Sequence, residues 1–145
     1  MAPLQKRAVY GLAIGICLAV AMLVLFLVAG GISRFDTDQG FRLTIDALWI
    51  AGLVTPLVLF RPITRSQASF DERDKVIMGR SVWVQWLATI LSLVAWMIYL
   101  TEAYHTSGLI PASFLYVMFI SILIVSTLAQ SGGILIGYWR MNRNG

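Results

Sequence analysis

Glu102 and His105 stand three residues apart, so on a helix they share one face. E-x-x-H is the spacing at which di-iron helical bundles present a carboxylate and an imidazole to metal. Those bundles use two such pairs plus further carboxylates. Here the pair occurs once, at the outer end of an apolar stretch. A dimer would double it, and Asp36, Asp38 or Asp46 could add oxygens. Asp46, Glu102 and His105 are therefore the weak candidates for a metal, set against the simpler reading of solvated loop residues. Asp46 opens another apolar stretch, about one turn inside. An acid there is costly unless it reaches water, bonds a neighbouring helix or pairs with Arg42 four residues back, and the Arg42 pair is the expected outcome. D-T-D-Q-G at 36–40 does not fit a calcium loop, because glycine falls at the fifth position and no glutamate stands at the twelfth.

Other chemistries lack their parts. There is no G-x-S-x-G, and His105 is the only histidine. No apolar stretch contains a histidine to ligate a b-type haem. The glycines at 30–31 and 132–133 are not followed by a phosphate-binding lysine. Cys17, the only cysteine, excludes an internal disulfide; between Ile16 and Leu18 it reads as a buried apolar thiol. No catalytic residue and no cofactor are assigned. The basic residues are scattered through linkers and form no nucleic-acid module.

The elements that would position these residues are four apolar stretches, roughly 8–32, 43–60, 82–101 and 112–139. Each is about long enough to cross a bilayer as a helix, which takes ~20 residues. Hydrophobic residues make up 59% of the 145 and charged residues 12%. A water-soluble domain carries about 25% charged residues, so these charges cannot coat a water-facing surface. Residues 1–32 have a basic start at Lys6 and Arg7, but the apolar run is about twice a signal peptide's 7–15 residues and no A-x-A site closes it. They are expected to be a retained first helix.

Threading follows from the basic residues. With four spans, the N-terminus, the 61–81 connector and the C-terminal tail share one side, which holds nine of the eleven lysines and arginines. The positive-inside bias puts that side in the cytoplasm, here of a prokaryotic inner membrane. Trp83, Trp86, Tyr99, Tyr104, Tyr138 and Trp139 flank the third and fourth spans as headgroup-level anchors. Pro56 is expected to kink the last turn of the second span.

Lipid tails are as apolar as leucine, so small residues and interhelical hydrogen bonds must hold such helices together. The first span offers Ala8, Gly11, Gly15 and Ala19. The third offers Gln85, Thr89, Ser92 and Ala95, and the fourth Ser126, Gln130, Gly133 and Gly137. Thr89 and Gln130 lie at similar depths and are expected to bond. The connector ends in a helix start: Ser69 and Glu72 fit a capping box. Asp71, Glu72 and Asp74 suit the positive helix end, and Asp71 with Lys75 makes an i,i+4 pair. This helix is expected to run straight into the third span.

The D-E-R-D segment, Asp71, Glu72, Arg73 and Asp74, precedes an apolar pair at the mouth of a membrane helix. With the four-span layout it resembles a group of small uncharacterised prokaryotic multi-pass membrane proteins carrying such a motif. The resemblance implies a class and no activity. The same four residues are the candidate docking patch for a cytosolic partner or neighbouring subunit. The expectation is a single all-α integral membrane domain over 1–145, four antiparallel helices with both termini cytoplasmic. Its leading function is a non-enzymatic accessory, scaffold or assembly component that self-associates or joins a larger membrane complex. A small oligomeric transporter or channel, using the polar faces of the third and fourth spans, is the alternative. An outer-face metal-binding or enzymatic protein is the third.

Overall fold

The computed structural model describes residues 2–27, 34–35, 37–59 and 72–143. Four long α-helices account for most of them: α1 (Pro3–Leu27), α2 (Gln39–Leu59), α3 (Glu72–Tyr104) and α4 (Ala112–Arg143). The end of the expected first span, Asp36, and the connector from 60 through Asp71, with its Pro62 and Ser69, lie outside the described residues. Helix α1 starts at Pro3, where a fixed φ and a missing N–H cost nothing in the first turn. Helix α2 continues through Pro56 to Leu59. Helix α3 has 33 residues, so the end of the connector and the third apolar stretch are one rod. At ~1.5 Å per residue that rod is about 50 Å long, against ~30 Å of hydrocarbon, and its polar first turns stand clear of the apolar part.

Three of these helices, α1, α3 and α4, are long and apolar enough to cross a membrane. The packing supports that medium. Ser81, Ser113, Thr127, Gln130 and Ser131 are buried, while Trp83, Trp86, Leu57, Met97 and many other large apolar side chains are exposed. A protein in water arranges these classes the other way round.

Helix α4 is the hub and contacts each of the other three. Against α1 it packs Ile134 and Tyr138 on Leu4 and Ala8 at one end, and Ile120 and Ile124 on Met22 at the other. Between them the α1 backbone comes close at Gly15, where an added Cβ would sit 2.7 Å from Leu128 Cδ2. Against α3, Gly137 faces Ile77 and Gly133 faces Ser81. Helix α2 lies more lightly on α1 and α4, with Phe41 and Ile45 beside Leu25 and Phe26, and Gly52 near Leu123. The buried stripe of α1 is Leu4, Ala8, Gly11, Gly15 and Met22. Cys17 falls two residues past Gly15, about 200° round the helix, and is exposed on the outer side rather than buried. After Tyr104 the chain turns at Gly108, whose φ of 65° favours glycine; its N–H returns to the Tyr104 carbonyl at 3.0 Å.

Candidate functional site

The densest polar constellation lies where the start of α3 meets the end of α4. Asp74 accepts a short hydrogen bond from the Tyr138 hydroxyl. Arg73 donates from Nη2 to Asn142 Oδ1 at 3.1 Å and from Nε toward Met141 Sδ at 3.3 Å. Its guanidinium also lies 6.0 Å from the Tyr138 ring centre, within cation–π range. Local sequence explains the placement: Asp74 stays in the first turn of α3, and Tyr138 stands one residue past Gly137, which packs on Ile77 of α3. Tyr138 is buried, its ring wedged against Leu4, Ala8 and Ile77, and is not the headgroup-level anchor its position suggested. A tyrosine between helices needs a partner for its hydroxyl, and Asp74 supplies one. The D-E-R-D segment is thereby split. Arg73 and Asp74 are half-buried and tied to α4, Glu72 is exposed, and Asp71 lies outside the described residues.

Deeper between α3 and α4 runs a polar seam. Gln85 Nε2 donates to Ser126 Oγ at 2.8 Å, and Trp96 Nε1 to Ser121 Oγ at 2.8 Å. Thr89 Oγ1 donates to the Gln85 carbonyl at 2.9 Å. Among the described residues no hydrogen bond joins Thr89 to Gln130. The threonine hydroxyl satisfies itself on its own helix, one turn back, and Gln130 is buried, 7% exposed. Ser92 is half-buried on the same side of α3. Gly11 is buried, Gly15 is spent against α4, and Gly133 and Gly137 against α3. The Trp96–Ser121 and Asp74–Tyr138 bonds were not anticipated. Their signal was faint: a tryptophan N–H in mid-span and a tyrosine hydroxyl both demand an acceptor.

The candidate metal residues stay apart. Glu102 and His105 are exposed, and Asp46 is half-buried beside Trp49, Ile50, Tyr116 and Phe119, lining a cavity of about 540 Å³. Among the described residues no three His, Cys, Asp or Glu side chains come together. No Arg42–Asp46 ion pair is present among them either. The i,i+4 pair that forms is Arg34–Asp38, at 3.1 Å. Asp38 caps α2: its Oδ1 accepts from the Phe41 N–H at 3.3 Å and the Gly40 N–H at 2.9 Å. The Phe41 bond, with those of Gly40 and Arg34, holds the Asp38 carboxyl below the usual aspartate value despite some opposing desolvation.

Thus one end of the α3–α4 pair carries a fixed polar network, the seam carries glue, and Asp38 caps α2 apart from Asp46 and Glu102. No family model matches the chain, and no match was found among curated proteins or solved structures.

Proposed function

We propose that this chain is a non-enzymatic integral membrane protein of a prokaryotic inner membrane, an accessory or assembly component of a larger membrane complex. It belongs with small multi-pass proteins that carry a D-E-R-D segment before a membrane helix. In this reading α2 is a fourth span, neighbouring helices alternate in direction, and both termini are cytoplasmic. Contact order supports the alternation: Leu4 meets Tyr138 and Met22 meets Ile120, whereas Asp46 and Gly52 meet Tyr116 and Leu123 in ascending order.

The observation that carries the scaffold reading is the locked start of α3. Arg73 and Asp74 are bonded to α4, so the projecting turns form a rigid two-helix platform that presents Glu72, Lys75 and Arg80 outward. A rigid charged platform suits a protein partner because little side-chain freedom is lost on docking. The small-residue stripes are used within one chain, which leaves the platform and the apolar flank of α3 as the surfaces for assembly. Of the polar residues that could line a transport path, Gln85 and Ser126 bond across the seam and Thr89 bonds its own helix, which suits packing glue.

Affinity capture from native membranes in mild detergent tests the reading. A fixed-stoichiometry partner lost on Glu72→Lys, with folding retained, is the expected result. A chain that stays monomeric and alone, yet drives solute flux in liposomes, would favour the transporter. Reporter fusions placing the tail and the connector on opposite faces would sink the threading.

A further inference from the structure

Beside the Asp74–Tyr138 lock, on the outer flank of the α3–α4 pair, lies an open groove of about 770 Å³. Gly133 and Gly137 line it beside Ile77, where the two helices touch. Its deep end is apolar, with Val84 and Ile136. Its other end is rimmed by three guanidinium groups, those of Arg73, Arg80 and Arg140. Arg73, Arg80 and Val84 recur at spacings of seven and four along α3, and Gly133, Gly137 and Arg140 at four and three along α4, so each set forms one stripe.

Arg73 is held by Asn142 and Met141. Arg80 and Arg140 are exposed and have no hydrogen-bond or ion-pair partner among the described residues. Arg80 stands about two turns deeper than Arg73, ~10 Å along the axis, just before the run of Trp83, Trp86 and Leu87. A cation at the edge of hydrocarbon with no protein counter-charge is costly until an anion joins it. Among the described residues the acidic side chains of this end do not meet that need: Asp74 is taken by Tyr138, and Glu72 does not line the groove.

We propose that this groove seats one anionic phospholipid, its phosphate on Arg80 and Arg140 with Arg73 beside them and an acyl chain along Val84 and Ile136. The charge complementarity is specific to a lipid because the cationic rim and the apolar trough form one continuous groove. A soluble phosphate would use the rim alone. Basic pockets between membrane helices on the cytoplasmic side hold anionic headgroups in this manner. The proposal rests on the membrane reading above and adds a ligand to it.

The test uses the full chain in mild detergent doped with phosphatidylglycerol, with phosphatidylcholine, or with neither. Thermal stability and retained lipid in native mass spectra are read together. Phosphatidylglycerol should stay bound and raise the melting temperature where phosphatidylcholine does not. Arg80→Gln and Arg140→Gln should each weaken retention by about five-fold, the worth of one basic residue at an anionic surface. Arg34→Gln, remote from the groove, should leave it unchanged. A photoreactive phosphatidylglycerol on the unaltered chain should label residues 76–84 and 133–141, which keeps the test alive if either variant misfolds. Equal stabilisation by inorganic phosphate or glycerol phosphate would make this an anion site and refute the lipid seat. Equal retention of phosphatidylcholine, an equal loss with Arg34→Gln, or label spread over all four helices would also overturn it. A chain that stays dispersed without detergent would instead bring down the membrane reading itself.

Discussion

Gly133 and its neighbour Gly132 offer a paired test of the central contact. An alanine Cβ at Gly133 would lie 3.2 Å from both Cα and Cβ of Ser81 and 3.6 Å from Val84 Cβ. At Gly132 a Cβ would meet nothing within 4 Å. Both substitutions replace glycine by the best helix former, a gain of ~1 kcal/mol that the two share. Only Gly133→Ala has to open the seam. The atom it meets is backbone, so α3 as a rod must retreat by a few tenths of an ångström, since no side chain can swing aside. Retreat loosens every contact along the pair, because dispersion falls steeply with separation, and overpacking of this kind costs about 1–3 kcal/mol. Gly132→Ala should therefore be neutral or stabilising. Gly133→Ala should fall about 1–3 kcal/mol below it, and the Gln85–Ser126 bond should weaken with it. Unfolding by titrated denaturing detergent, with intrinsic tryptophan fluorescence as the readout, measures both variants on one scale. Equal stability of the two would refute the close approach of α3 and α4 at this point.

Three further outcomes are expected. A double-mutant cycle on Gln85→Leu and Ser126→Ala should return a coupling of about 0.6–1.7 kcal/mol, the range found for hydrogen bonds between membrane helices, and a coupling of zero would show the bond contributes nothing. Tyr138→Phe should cost about 1.5–3 kcal/mol because its hydroxyl donates to a carboxylate, and adding Asp74→Asn should cost little more; additive losses would mean the two residues act separately. Asp38's carboxyl is held below the ordinary 3.8 by the amide of Phe41 first. Its cap on α2 is thus fully present above that value and is lost as pH falls through the lowered folded-state value, because protonation removes the charged acceptor. Amide protection at Gly40 and Phe41 should drop in that acid window in the native chain and show no such step in Asp38→Asn.

Much of the architecture was legible because a bilayer imposes simple rules. Apolar length marked α1, α3 and α4, and the spacing of Gly11, Gly15, Gly133 and Gly137 marked where backbones approach, since only small residues permit it. The continuity of α3 was legible in its acidic first turn, followed without a breaker by the apolar run. Partner choice was less legible. Thr89 and Gln130 share a depth, but depth leaves rotation about each axis open, and a threonine can always turn back to its own helix carbonyl. Tyr138 has the composition and position of an interfacial anchor. What buries it is the absence of side chains at Gly133 and Gly137, which draws α3 over it. Cys17 was misplaced for a related reason: every residue near it is apolar, so hydrophobicity alone does not distinguish the α4 face from the outer face. The lone acids were ambiguous because Arg42 and Arg34 offer the same i,i+4 geometry, and the N-cap demand of α2 gives Asp38 the stronger role.

The arginines connect threading to binding. A positive-inside count treats Arg73, Arg80 and Arg140 as orientation signals, equal to any other basic residue near a span end. In the folded chain they meet on one groove, because Gly133 and Gly137 bring their helices together. In the proposed threading that groove faces the cytoplasmic leaflet, whose surface is negative, and Val84 and Ile136 supply a trough of acyl-chain character beside the charges. The same helix contact fixes Asp74 on Tyr138, so that carboxylate is not turned to Arg80. A locked platform and an unneutralised cationic rim are thus two results of one close approach. Loosening that approach at Gly133 should weaken the lock and reshape the lipid seat together.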